Sequence, residues 1–232
     1  MKNLTSLEKK LGIKFKNKKL LHEALTHRSY INEHPSHPIP HNERLEFLGD
    51  AVLELIVSKS LFHKFTAKPE GELTVLRSSL VNTDSLTNIA NALQIDHHLY
   101  LSRGEMKSKG KAREVILADT IEAIIGAIYL DQGFVAAEKF IKKNFLSRLG
   151  LIIKYKLYKD PKSDFQEITQ AQFKITPAYK VLQETGPEHA KKFTVGVFLS
   201  DKMIAVGSGK SKQEAEIAAA KNALEKDLNQ II

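Results

Sequence analysis

The chain has 232 residues, of which 42% are hydrophobic and 27% charged, so it can bury a core of ordinary size and has the length of one domain plus a small second one. It contains no cysteine, which excludes disulfides and thiolate metal sites. Its net charge of +8 favours a polyanionic partner and is concentrated in residues 1–160, with 25 Lys and Arg against 18 Asp and Glu, whereas residues 161–232 have 10 against 9.

Helical periodicity dominates the first part of the chain, so residues 1–150 are predicted to form an all-α domain. The predicted helices span residues 17–26, 42–65, 71–82, 84–93, 112–131 and 133–148. Residues 34–41, which include three prolines, and the polar, basic residues 102–111 are predicted loops. The start of the chain lacks the apolar centre of a signal peptide, and no apolar run is as long as a membrane span. We therefore expect a cytoplasmic protein without a membrane partner.

The pattern changes after residue 150, where we predict a linker over 151–159 and a small α+β domain over 160–232. Its predicted elements are a helix near residues 163–174, three strands at 177–184, 192–199 and 202–208, and a final alanine-rich helix. Ser211, with Glu214 three residues later, is typical of a capping box that opens this last helix. The element order of the domain is therefore α-β-β-β-α.

The segment NERLEFLGDAVL, Asn42–Leu53, places acidic residues on one face of a predicted helix. At about 100° per residue, Asp50 lies roughly 40° and Glu43 roughly 60° from Glu46, and the apolar residues lie on the opposite side. Like charges four residues apart cost a few tenths of a kcal/mol on an isolated helix. A bound cation would offset this cost.

A second pair of acids, Asp119 and Glu122, lies within the apolar helix predicted over Val115–Leu130. Their spacing puts both on one face, where burial without a partner would cost several kcal/mol. Ala123 and Gly126 share that face and are small enough to let another helix approach closely. A solvated acidic face is the alternative interpretation, and it accounts for the first pair better than for the second. Four carboxylates from two helices suit Mg²⁺.

These motifs resemble those of bacterial ribonuclease III. The nine residues NERLEFLGD resemble the family signature, and three further segments resemble the family in the same order, ALTHRSY (24–30), EGEL (70–73) with Arg77, and ILADTIEAIIG (116–126). The resemblance implies a homodimer with two cleavage centres in one RNA-binding valley. It also implies hydrolysis of double-stranded RNA with Mg²⁺, for which Mn²⁺ can substitute, to 5′-phosphate and 3′-hydroxyl ends. The implied roles are processing of ribosomal RNA precursors and of some messenger RNAs.

The resemblance also assigns roles to individual residues. It implies that the metal ligands are Glu46, Asp50, Asp119 and Glu122, with Asp50 and Glu122 the catalytic residues most sensitive to substitution. Glu43 and Glu70 match acids that border the cleavage site. Phe47 lies near 100° on the helix, outside the apolar set that faces the core, and the resemblance implies that it inserts into the partner subunit.

Two features of the nuclease segment depart from the family pattern. Val115 stands where a serine is expected, one helical turn before Asp119, and could alter local hydrogen bonding without being a ligand. The loop histidines His34, His37 and His41 suggest a zinc site. Their spacing is broken by prolines and does not place them on one helical face, so exposed loop histidines are the preferred interpretation.

Residues from about 160 to 228 resemble a double-stranded-RNA-binding domain through FQE (165–167), PAY (177–179), GPEH (186–189) and GKSKQEAE (209–216). The predicted RNA contacts are Gln166, Gln170, Gly186, Pro187, His189, Lys210, Ser211 and Lys212. The two glutamines are expected to face a minor groove and the GPEH loop a second one. The two lysines lie at a helix N-terminus, where free N–H groups and the dipole already favour phosphate. Gln213 replaces a common lysine, so affinity is expected to be lower.

Two alternatives remain at this stage. A catalytically silent RNA-binding protein on the same fold would retain the C-terminal domain, but retention of all four predicted ligands argues against it. An acid-rich structural helical protein with no role in RNA metabolism is opposed by the C-terminal domain itself. No small-molecule cofactor is expected.

Overall fold

The computed structural model describes residues 4–155, 158, 160–187 and 190–226, which form two compact units, Met1–Tyr158 and Lys159–Ile232. The helices of the first unit are α1 (Thr5–Leu11), α2 (Lys18–Ala24), α3 (Arg28–Glu33), α4 (Glu43–Lys64), α5 (Glu70–Val81), α6 (Thr83–Ala92), α7 (Lys111–Asn144) and α8 (Leu149–Lys154). The second unit contains α9 (Pro161–Phe173), β1 (Ala178–Thr185), β2 (Lys192–Leu199), β3 (Lys202–Gly209) and α10 (Lys212–Leu224). The predicted fold class, a helical domain followed by a small α-β-β-β-α domain, is confirmed. In the part of the chain described here, no helix is both long and apolar enough to cross a membrane.

The core of the helical unit is built around α7, which packs most extensively against α4 and also contacts α2 and α6. The central turns of α7 are apolar nearly all round, so Ile121, Ile124 and Ile128 are fully buried. Helix α4 contributes one face, with Leu53 and Ile56 fully buried. Complete burial of each such side chain stabilises the fold by about 1.5–3 kcal/mol.

Gly133 divides α7 into two helical segments. Its backbone has φ 80° and ψ −176°, while a Cβ there would meet nothing within 4 Å. Glycine is therefore required by backbone conformation and not by space. Next to this break, the Asp131 carboxylate accepts hydrogen bonds from the amides of Lys16 and Asn17 at 2.9 and 2.8 Å. The segment before α2 is thereby fixed to α7.

Three short helices, α1, α3 and α8, were not predicted. Six or seven residues give only a weak period, and the start of α3 lacks the usual capping residues. His27 precedes α3, and its Nδ1 accepts a hydrogen bond from the Ser29 amide. Helix α8 covers residues 151–154, which the sequence assigned to the linker, and its Ile152 is buried in the core of the first unit.

The second unit is a three-stranded antiparallel sheet in the order β1-β2-β3, with α10 packed on β2 and β3 and α9 packed against α10. Phe165 of α9 and the α10 alanines fill the space between helices and sheet, with Ala215, Ala219 and Ala223 fully buried. Ser211 caps α10 by accepting a hydrogen bond from the Glu214 amide at 3.1 Å. The return bond of the predicted capping box is shifted by one residue, because the Glu214 carboxylate accepts from the Lys210 amide.

Candidate active site

Helices α4 and α7 touch through their backbones at two glycines. A Cβ at Gly49 would lie 1.8 Å from the carbonyl oxygen of Glu122, and one at Gly126 would lie 2.2 Å from the carbonyl oxygen of Leu45. The predicted close approach of another helix at Gly126 is confirmed. The sequence did not indicate that the partner is α4, or that Gly49 is the matching contact.

This crossing brings together acids from both helices. One carboxylate oxygen from each of Glu46, Asp119 and Glu122 lies within 4.8 Å of the other two, and all three side chains are partly buried. Asp50 lies one turn beyond Glu46 on α4 and is exposed. It is not a member of this close group, although its charge acts on both Glu46 and Glu122. The structure thus groups three of the four predicted ligands and places the fourth at their edge.

The carboxyls of the cluster hold protons unusually strongly. Burial, followed by the charges of Asp50, Asp119 and Glu46, raises the pKa of Glu122 to about 8. Burial, followed by Asp119, Glu43 and Asp50, raises the pKa of Glu46 to about 7. Burial also raises the pKa of Asp119. Both desolvation and mutual repulsion therefore oppose full ionisation of the cluster.

Neighbouring acids differ from this cluster because they have cationic partners. The Glu43 carboxylate lies 3.6 Å from Arg28 and 3.8 Å from His41, and Glu54 lies 3.9 Å from Arg77. Among the residues that the structure describes, no Lys, Arg or His forms an ion pair with the three clustered carboxylates. The arrangement has the chemistry of a site for a hard divalent cation.

Two further acids take different positions around the cluster. Glu70 is exposed at the start of α5, where its carboxylate accepts a hydrogen bond from the Thr74 hydroxyl at 2.9 Å, and it is not in the close group. Glu54 was not singled out from the sequence, yet its charge also raises the pKa of Glu122. Its position, four residues after Asp50 and on the same helical face, was the available signal.

The predicted loop histidines do not converge on one point. His34 stacks on Tyr30 at 4.1 Å between ring centroids, His37 meets the same ring edge-on at 5.1 Å, and His41 lies beside Glu43. In the described part of the chain, they form no three-ligand group that could hold a metal. Val115 is 49% exposed on α7 and is not part of the carboxylate cluster.

An apolar stripe runs along α4 beside the acids. Phe47 is 81% exposed, and Leu55 and Phe62 on the same side are 58% and 67% exposed. Val75 of α5 is also exposed. The acidic motif indicated Phe47 alone, because Leu55 and Phe62 lie outside the segment Asn42–Leu53.

The predicted RNA contacts of the second unit are found at its surface. Gln166 and Gln170 are exposed on one face of α9, while Phe165 and Thr169 are buried on the other. The side-chain carbonyl of Gln170 accepts a hydrogen bond from the Thr176 hydroxyl at 3.3 Å. The two glutamines therefore share an exposed face of α9.

The lysines at the start of α10 are exposed, but one is already paired. The Lys212 ammonium lies 3.3 Å from the carboxylate of Glu184 at the end of β1, a contact that the sequence did not suggest. Gly186, with φ 93°, and the exposed Pro187 begin the predicted second-groove loop. The remaining predicted contact in that loop, His189, lies outside the described residues.

Comparison with known proteins gives a consistent result. A family model described as Ribonuclease-III-like matches residues 17–149, and one for the double-stranded RNA binding motif matches residues 161–226. The chain is similar to a ribonuclease 3 of Carboxydothermus hydrogenoformans, 50% identical over 96% of this chain and 95% of that protein. A ribonuclease 3 of Streptococcus pneumoniae is 43% identical over the full length of both.

Solved structures agree with these relatives. The nuclease domain of ribonuclease III from Campylobacter jejuni is 47% identical and covers 62% of this chain and 97% of its own, with a TM-score of 0.55. A second structure of that domain has the same TM-score and 46% identity, and it covers 62% of this chain and 99% of its own. It reports structural flexibility in a region involved in dimer formation of that domain. With family models over both units and relatives along nearly the whole length, the chain belongs to the ribonuclease III family.

Proposed function

We propose that this ribonuclease hydrolyses phosphodiester bonds within double-stranded RNA, using Mg²⁺ held at the crossing of α4 and α7. The observation that carries the proposal is the convergence of Glu46, Asp119 and Glu122, which have no cationic partner among the described residues. Such a cluster is costly without a cation and matches the oxygen ligands that Mg²⁺ prefers.

The three clustered carboxylates would hold the metal, with Asp50 available at their edge. When bound, the ion supplies Lewis-acid stabilisation of the scissile phosphate and activation of the attacking water. Glu122 and Glu46, with pKa values raised to about 8 and 7, retain protons near neutral pH in the protein alone. They must release these protons to become ligands, so metal binding is coupled to proton release.

The second unit is proposed to hold the duplex. Gln166 and Gln170 would contact 2′-hydroxyls in one minor groove, and the loop containing Gly186 would reach the next. Lys210 and Lys212 would contact phosphates beside the N-terminus of α10. These contacts recognise the shape of a duplex and not its sequence. The proposed boundaries are residues 1–150 for the nuclease and 160–232 for RNA binding, and the proposed linker, residues 151–159, begins within α8, which packs on the core of the first unit.

A homodimer is proposed to form through the apolar stripe of α4, with Phe47 at its centre. Phe47 and Phe62 are fifteen residues apart, so the stripe extends over about 22 Å of helix. A twofold axis would repeat each contact and place two acid clusters along one RNA-binding surface. The proposed products have 5′-phosphate and 3′-hydroxyl ends with short 3′ overhangs, from ribosomal RNA precursors and some messenger RNAs. Because the relatives are bacterial, the cytoplasm is the proposed location.

Cleavage and binding of the same RNA duplex, with and without Mg²⁺, test the proposal. Glu122→Gln and Asp50→Asn should each lower the cleavage rate by roughly 1,000-fold, because each removes a carboxylate that would hold the metal. Duplex affinity should stay within about twofold, since binding rests on contacts made elsewhere. Glu138→Gln is the control on α7, because Glu138 is already paired with Lys59 and Lys142.

The result with the unmodified protein separates the competing functions. Mg²⁺-dependent cleavage is expected. Duplex binding without cleavage at any Mg²⁺ concentration would instead identify a silent RNA-binding protein. Cleavage by Glu122→Gln at the parent rate would contradict the assignment of the site.

A further inference from the structure

The backbone crossing of α4 and α7 leaves no room for a single methyl group at either glycine. Ordinary contact for a Cβ begins near 3.4 Å, so an alanine at Gly126 requires the helices to separate by about 1.2 Å, and one at Gly49 by about 1.6 Å. The obstacles are main-chain carbonyl groups, which cannot turn aside as a flexible side chain can. Substitution must therefore change the distance between the helices or deform them.

The backbone atoms that meet at the crossing belong to the cluster or adjoin it. The carbonyl that occupies the Cβ position of Gly49 is that of Glu122. The carbonyl that occupies the Cβ position of Gly126 is that of Leu45, the residue before Glu46. Because Glu46 comes from α4 and Glu122 from α7, the distance between the backbones sets the distance between their carboxylates.

The distance between the carboxylates affects which ion they prefer, because divalent cations differ in size by less than the helix separation that an alanine would require. Mg²⁺ binds oxygen at about 2.0–2.1 Å and demands near-octahedral geometry, whereas Ca²⁺ binds at about 2.3–2.6 Å with more ligands and looser geometry. One carboxylate oxygen from each of the three acids lies within 4.8 Å of the other two. Separation of the helices by about 1.2 Å would exceed severalfold the difference between the Mg²⁺–oxygen and Ca²⁺–oxygen distances.

We propose that the Gly49–Gly126 crossing sets the cation selectivity of the site, by holding the carboxylates close enough to favour Mg²⁺ over the larger Ca²⁺. The two glycines are positioning residues that act through the backbones of Glu122 and Leu45. This inference rests on the proposed metal site. It differs from a role in packing alone, because packing predicts loss of stability without any change in the preference between two ions of equal charge.

Metal binding by the full chain without RNA tests the inference. Dissociation constants for Mg²⁺ and for Ca²⁺ follow from the rise in melting temperature over a series of ion concentrations. In Gly126→Ala, the ratio of the Mg²⁺ constant to the Ca²⁺ constant should rise at least tenfold, and in Gly49→Ala more. Gly150→Ala is the matched control, because Gly150 is exposed on α8 and its Cβ would meet nothing within 4 Å, so the ratio should stay within twofold. A folded Gly126→Ala with an unchanged ratio overturns the inference.

Glu122→Asp keeps the inference testable if the alanine variants do not fold. This change retracts one carboxylate by one methylene, about 1.5 Å, without adding an atom at the crossing. It should shift the ratio toward Ca²⁺ by about tenfold, and an unchanged ratio would show that cluster width does not control selectivity. The outcome is independent of catalysis, because a parent protein that prefers Mg²⁺ but does not cut RNA contradicts the proposed function and leaves this inference standing.

Discussion

Charged side chains are arranged differently in the two units. The helical unit gathers acids into one cluster, whereas the second unit pairs lysines with acids. Glu46, Asp119 and Glu122 are partly buried like charges without a cationic partner among the described residues. In the second unit, Lys212 is paired with Glu184, and Lys162 with Glu216 at 2.6 Å. The first arrangement costs folding free energy until a cation binds, whereas exposed ion pairs change stability little.

This difference predicts how strongly the acid cluster and the RNA-binding face respond to substitution. The acid cluster depends on a helix crossing that tolerates no added atom, so small changes there should act strongly and together. The proposed RNA-binding face consists of separate exposed groups, each of which is expected to contribute a modest, salt-dependent increment to duplex affinity. The tests that follow separate the two behaviours, starting with the largest effect.

Removing the second unit should change duplex affinity more than any single substitution. Residues 1–158 contain the acid cluster and most of the net positive charge, so they should still cleave a duplex in low salt and excess Mg²⁺. At about 150 mM salt, duplex affinity should fall roughly 100-fold, because the groove and phosphate contacts are lost. Cleavage and filter-binding measurements over a salt series check this. Equal activity of the truncated and full chains at 150 mM would mean that the second unit does not hold the duplex.

Truncation of Phe47 should weaken the dimer without unfolding the subunit. Phe47→Ala should raise the dimer dissociation constant by at least about 30-fold, since loss of an aromatic from an interface costs about 1 kcal/mol or more in each of the two copies. Val135→Ala is the control, because Val135 is 76% exposed on α7 and outside the α4 stripe. Sedimentation equilibrium with circular dichroism measures both properties. A monomeric parent protein refutes the dimer, and an undiminished Phe47→Ala dimer removes Phe47 from its centre.

Neutralising one clustered acid should stabilise the metal-free protein at alkaline pH. The pKa of Glu122 is raised from 4.5 to about 8 on folding, so the parent protein loses free energy of unfolding as pH rises through that interval. Glu122→Gln lacks this loss and should be more stable at pH 9 by about 1 kcal/mol, a figure reduced for the partial exposure of the group. At pH 4 the two proteins should be nearly equal. Urea unfolding in EDTA at both pH values tests the sign of the difference in stability. A Glu122→Gln that is less stable than the parent protein at pH 9 would indicate that a cationic group pairs with Glu122.

The smallest effects are expected at the Lys212–Glu184 pair. Lys212→Ala should weaken duplex binding about fivefold and reduce the salt slope by about 0.9, the value for one lost phosphate contact. Glu184→Gln should do the opposite and tighten binding about twofold, because Lys212 no longer has to leave a carboxylate at 3.3 Å. Gel shifts at several salt concentrations distinguish the two. Opposite changes in duplex affinity for the two variants support independent contributions of the exposed groups. Equal losses of affinity would indicate that the Lys212–Glu184 ion pair orders the binding face.

Local patterns in the sequence were sufficient for the fold class and for much of the site. The period of the apolar residues specified the long helices, and it separated the acidic face of α4 from its core face with Leu53 and Ile56. Ser211 was correctly predicted as the cap of α10. These features depend on residues within a few turns of one another, so they can be derived without knowing what packs against them.

The short helices could not be predicted because their stability comes from tertiary contacts and not from their own sequence. Helix α8 owes its position to Leu149 and Ile152, which are buried in the core of the first unit. Helix α3 is capped by His27, whose ring nitrogen takes the place of the usual oxygen cap. Neither signal is distinctive in a single sequence.

The sequence by itself determined which acids share a helical face and that Gly126 admits a close neighbour. Only the tertiary structure decided that this neighbour is Gly49 of α4, that Glu46 joins Asp119 and Glu122 while Asp50 stays at the edge, and that bordering acids have partners. The physical reason is that helical periodicity fixes directions around one axis. The distance between two axes depends on every atom packed between them, and here that distance is set by the absence of two Cβ atoms.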